Sequence, residues 1–236
     1  MRKKVLSGSL AIILIVSLSF IIAASSNQNH VSKTGNETQT VGSNNILAVV
    51  NGKKISYQDF QAKKKVYDKA CKLQEEKSKN DLRAGLSSKG PQKKTAEQYL
   101  QKMIRDQVIC DDCAKKGITV SRKEAKQALE KNYETIQELM KNGTGVQKEQ
   151  AKATWDYYQS LIQSLGITLE QYTEQYGTES MQMILLENKH YENFAAGKSS
   201  KKLSHKELAA QYEKEVHRLV SQSNIQIHKN LLNDSQ

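Results

Sequence analysis

The chain of 236 residues and 26.6 kDa is long enough to bury a core without a disulfide framework, which excludes a small stapled scaffold. A single proline, Pro91, and 12 glycines are too few turn residues for an all-β sandwich or barrel; with 37% apolar and 26% charged residues the composition is that of a folded, mainly helical protein. The net charge of +11 is carried by lysine, arginine standing only at positions 2, 83, 105, 122 and 218, so it suits anionic lipid head groups or cell-wall polymers and not the arginine forks of nucleic-acid readers.

Residues 1–25 read as an export signal: the basic Met1-Arg-Lys-Lys4 precedes the apolar run Leu10–Ala24. The small residues Ala23-Ala24-Ser25 suit cleavage, while Val5–Ala24, roughly 30 Å long as a helix, also suits a retained anchor. In both cases the basic flank places the remainder outside the membrane. No nucleotide pool is maintained there, and no phosphate-cradling glycine loop is present, so no cofactor is expected. Residues 26–45, rich in Ser, Thr, Asn and Gln, form a flexible linker.

Ile46-Leu-Ala-Val-Val50, the turn Asn51-Gly52 and Lys53-Lys-Ile55 predict a short hairpin. Ser56 with Asp59 caps a helix to about Lys77, followed by a loop over Asn80–Lys94. Thr95 with Gln98, and Ser121 with Glu124, cap the next two helices, which stop at Gly117 and at Asn142-Gly143. A fourth helix spans Val146–Leu165. Thr168 with Gln171 caps a short fifth helix, and Thr178 starts a longer sixth. A linker at 197–203 leads to a last helix capped by Ser204 and Glu207, and Ile225-Gln-Ile227 closes as a brief extended segment.

Cys110-Asp-Asp-Cys113 has the spacing of a redox dithiol or half a metal site. It lies near the end of a helix beside two carboxylates that oppose thiolate formation, and no matching pair of zinc ligands follows. The expectation is one buried sulfur and one partly exposed, with Cys71 an ordinary helix residue and no metal. Adjacent carboxylates such as Glu75-Glu76 and Asp111-Asp112 diverge by about 100° on a helix and read as solvated surface. The five histidines are dispersed. Trp155, Tyr158, Tyr172, Tyr176, Met181 and Met183 offer adaptable apolar contact area for varied guests, with about half of the set expected in the core.

Three segments together resemble the amino-terminal domain of the SurA and PrsA type of extracytoplasmic folding factors, related in layout to trigger factor. They are Ala48–Phe60, with its strand, Asn-Gly turn, strand and capped helix; Tyr99–Val108 running into Ala114–Glu124, with its Gly-Ile-x-Val-Ser connector; and Leu165–Tyr172. The resemblance implies a mainly α fold: an irregular helical chaperone module at 46–196 with a short amino-terminal β-hairpin or arm, and a return helix at 204–230 that packs back on it. Only the linker separates module and return helix where the family carries a parvulin isomerase domain, and no histidine sits in that domain's motif, so prolyl isomerisation is not carried over. The implied activity is ATP-independent holding of unfolded or partly folded exported proteins. The alternatives are a cell-envelope adaptor with one fixed partner, or an isomerase relative that has lost activity.

Overall fold

Asn51 and Gly52 reverse the chain at positive φ, 50° and 84°, a conformation these two residue types adopt at low steric cost. They join β1 (Ile46–Val50) to β2 (Lys53–Ser56). The computed structural model describes residues 45–83, 93–198, 203–228 and 230–233. The residues read as an export signal, nearly all of those read as a flexible linker, positions 84–92 of the loop expected over Asn80–Lys94, and residues 199–202, 229 and 234–236 lie outside them.

The described fold is mainly α. Helices α1 (Tyr57–Arg83), α2 (Ala96–Lys115), α3 (Arg122–Asn142), α4 (Val146–Leu165), α5 (Leu169–Tyr172), α6 (Thr178–Ala196), α7 (His205–Gln222) and the short α8 (Asn230–Asn233) follow in order. Their starts obey side-chain chemistry. Reciprocal capping boxes stand at Thr95/Gln98, Thr168/Gln171 and Ser204/Glu207, and Ser56 and Ser121 accept the backbone N–H three residues on. Each cap satisfies amides that would otherwise face only water.

Two expectations change. Helix α1 continues through residues 80–83, because nothing from Lys72 to Arg83 is a glycine or proline that would stop it. The fifth and sixth helices are not separate: a π-helical turn, Thr173–Gly177, joins α5 to α6. Thr178, read as a helix start, lies inside that run, and its backbone N–H and its hydroxyl both donate to Thr173 O, the hydroxyl at 2.8 Å. Gly177 permits the turn's close approach, since a Cβ there would stand 2.7 Å from Leu129 Cδ2. Ile225–Ile227, expected as a brief extended segment, is a strand, β3, paired antiparallel with β1 in a sheet of order β2-β1-β3.

Two units make up the chain. Among described residues the first comprises 67–83 and 121–182, where α3 packs along α4 and the α5–π segment packs on both. The second comprises 45–66, 93–120 and 183–233, where α2 packs along α7 and against β1. Its core is Leu47, Val50 and Ile55 of the sheet with Tyr99, Leu100, Met103 and Ile104 of α2, and Phe60 meets Tyr99 edge-on at 5.8 Å. Among the described residues no helix is long and apolar enough to cross a membrane; Leu10–Ala24 lies outside them.

Candidate functional site

The helical spacing of α3, α4 and α5 turns a row of aromatic side chains toward one interior in the first unit. Trp155 meets Tyr133 at 6.2 Å between ring centroids, Tyr133 meets Tyr158 at 5.6 Å, Tyr158 meets Tyr172 at 6.4 Å and Tyr172 meets Tyr176 at 6.2 Å. All but the last are edge-to-face, the arrangement that ring quadrupoles favour. The middle of the row, Tyr133, Tyr158 and Tyr172, is buried; its two ends, Trp155 and Tyr176, are half-buried. Burial pushes the Tyr133 hydroxyl up to about 12 and raises Tyr158 and Tyr172 as well, so none of them ionises near neutrality. Tyr158 Oη is buried without a hydrogen-bond partner among the described residues.

The six side chains singled out from sequence thus fall into three groups. Trp155 and Tyr176 retain exposure; Tyr158, Tyr172 and Met181 are core residues of the same unit; Met183 is fully buried in the other unit, where Cys110 Sγ donates to its Sδ at 3.6 Å. Tyr133, which ties the row together, was missed because its position on α3 reveals nothing of its neighbours on α4. Among the described residues, Val146 is the large apolar side chain that stands clearly exposed, at 66%.

The second unit holds a different interior, built from directional polar contacts. Asp111 is not solvated: it accepts from Asn51 Nδ2 and Gln107 Nε2, each at 2.9 Å, and pairs with Lys53 at 2.9 Å. Asn51 Oδ1 in turn accepts from Asn224 N at 3.0 Å, and Asn51 N donates to Asn224 O, so one side chain links the hairpin turn, α2 and the approach to β3. Asp112 pairs with Lys116 at 2.6 Å and with His190 Nε2 at 2.7 Å, while His190 Nδ1 lies 2.9 Å from Tyr212 Oη. The partial burial that would raise the Asp112 carboxyl is outweighed by these two bonds, and it lies below its ordinary value of 3.8. His190, one of the five dispersed histidines, is therefore a fully buried link from α2 through α6 to α7.

Nearby, Arg105 bridges Glu187 at 2.8 Å and Glu213 at 3.1 Å. Asp106, almost fully buried, is held by Lys102, yet desolvation dominates and raises its carboxyl. The cysteine expectation also changes: Cys71, Cys110 and Cys113 are all thiols outside any disulfide and all buried. Burial, with Cys110 and Asp112 nearby, pushes the Cys113 thiol up to about 12, the reverse of an activated thiolate.

The fold is thus that of a mainly helical protein whose second unit is closed by a small sheet of strands from opposite ends of the chain. A family profile described as SurA-like N-terminal domain matches residues 1–154, and the chain belongs to that chaperone-related family. The match takes in the first two segments of the resemblance and ends before Leu165–Tyr172 and the last helix. No curated protein and no solved structure matches the chain.

Proposed function

We propose that this chain is an extracytoplasmic, ATP-independent holdase for unfolded or partly folded exported proteins, secreted or held at the membrane by its amino-terminal apolar run. Family membership over residues 1–154 is the observation that carries the reading. The half-buried ends of the aromatic row, Trp155 and Tyr176, together with Val146, are its contact points, offering apolar area on a lysine-rich exterior. Tyr158, Tyr172 and Met181 support the site from the core of the same unit, Met183 is buried in the other unit, and none of the four lines an open cradle. Lysine-rich surface attracts anionic lipid or cell-wall polymer without specificity, in a manner that salt screens.

Trp155 is the only tryptophan, so its fluorescence reports directly on the site. Addition of a chemically unfolded model client shifts its emission to the blue, and equimolar protein slows the client's aggregation. Unchanged aggregation at that ratio refutes the holdase reading. A prolyl-isomerisation assay shows no acceleration; a clear acceleration restores a foldase reading.

The burial of four of the six sequence-selected side chains favours one second reading, an envelope adaptor with a single fixed partner, because it leaves little apolar area for varied guests. Cross-linking at position 155 separates the two: many unrelated clients for a holdase, one for an adaptor.

A further inference from the structure

The Cys110-x-x-Cys113 pair takes no part in the proposed function, and its surroundings suggest a role of its own. Both thiols lie near the end of α2 at Lys115, Cys110 five residues and Cys113 two residues before it, and both are covered from α6: Cys110 Sγ donates to Met183 Sδ at 3.6 Å and Cys113 Sγ to Leu186 O at 3.8 Å. Their relative exposures are 6% and 1%, so neither sulfur can be reached without separating the two helices. Side chains three apart on an intact helix have Cβ atoms about 5–6 Å apart, whereas a disulfide needs about 3.5–4.5 Å. Closing the bond therefore requires the last turn of α2 to unwind. That turn carries Asp112, between the two cysteines, which holds Lys116 and His190 and through His190 reaches Tyr212 of α7.

We propose that Cys110 and Cys113 are a gated redox site: inert while α6 covers them, they close to a disulfide when the end of α2 opens, and that bond prevents the Asp112–His190–Tyr212 chain from re-forming. The oxidant class is a small-molecule disulfide such as oxidised glutathione. Both S–H bonds break and one protein S–S bond forms, while the oxidant's S–S bond breaks and its two sulfurs take up the two electrons and two protons. The thiol of Cys113, made hard to ionise by burial, is slow to attack while covered. The inference is independent of the holdase reading.

The test uses the full chain carrying Cys71→Ala, which leaves only this pair, treated with oxidised glutathione and followed by intact mass. The native protein is expected to lose two hydrogens on the order of 100-fold more slowly than the chain in denaturing urea, since reaction must wait for a local opening. When the oxidised chain is returned to native buffer, amide exchange is expected to be faster at 110–117 and in α7 than in the reduced protein, and reduction reverses this. Equal rates in native and denatured protein overturn the proposal, as does a persistent glutathione adduct in place of the disulfide, or unchanged exchange in the oxidised protein. Should Cys71→Ala not fold, the wild-type chain with peptide mapping of the disulfide gives the same readouts.

Discussion

The two units solve the same problem, holding helices together, by different means. The first is drawn largely from one continuous stretch, 121–182, and its interior is aromatic: Tyr133, Tyr158 and Tyr172 pack edge to face, and the Tyr158 hydroxyl has no hydrogen-bond partner among the described residues. The second is assembled from three stretches far apart in sequence, and directional bonds hold their junctions: Asn51 to Asp111 and Asn224, Asp112 through His190 to Tyr212, and Arg105 to Glu187 and Glu213. Short connections bring the first unit's helices into register at little entropic cost, so non-directional packing suffices. Segments from opposite ends of a chain can dock in many ways, and polar bonds that must be satisfied when buried select one of them.

Substitutions can break this contrast, and the largest effect is expected in the aromatic row. Tyr158→Ala should cost about 3–5 kcal/mol, read as a drop in the urea midpoint, because it removes a buried ring. Tyr158→Phe should be neutral or slightly stabilising, because the hydroxyl it deletes satisfies nothing. In the polar unit, deleting either member of a bonded pair strands the other. His190→Ala should cost about 3 kcal/mol, combining a cavity with unpaired Asp112 and Tyr212 groups, and His190→Phe should recover only the cavity part.

Gly177→Ala should cost about 1–3 kcal/mol through overpacking against Leu129, with the loss of exchange protection centred on the π-helical turn.

The smallest effect is a pH dependence in which two neighbouring aspartates act in opposite directions. Asp106 is raised by burial, so the folded state takes up its proton first and this contribution to stability grows as pH falls toward 3.8. Asp112 is lowered, so its contribution is complete above 3.8 and is lost as pH falls further. Asp106→Asn should therefore steepen the loss of stability between neutrality and pH 4, and Asp112→Asn should flatten it below 3.8; urea midpoints across that range check both signs.

Most element boundaries were legible in the residues themselves. Thr95, Ser121, Thr168 and Ser204 cap helices as their spacing to Gln98, Glu124, Gln171 and Glu207 predicts, and the Asn51-Gly52 hairpin stands where its turn chemistry puts it. Thr178 misled because a threonine followed by Glu179 looks like a helix start, whereas here its hydroxyl bonds back to Thr173 within a continuous helix. The candidate contact residues were legible as a type but not as a surface. Tyr158 and Tyr176 have the same chemistry, and only the packing of α3 against α4 and α5 decides that the first is interior and the second half-exposed.

By itself, then, the amino-acid sequence determined what local chemistry controls: the mainly helical class, the caps, the hairpin turn and the family resemblance. Tertiary structure alone decided that β3 completes a sheet with β1, that Asp111, Asp112 and His190 are buried partners, and that all three cysteines are covered. The reason is range: a cap or turn is settled by groups within four residues of each other, whereas burial and pairing depend on which distant segment arrives to exclude water.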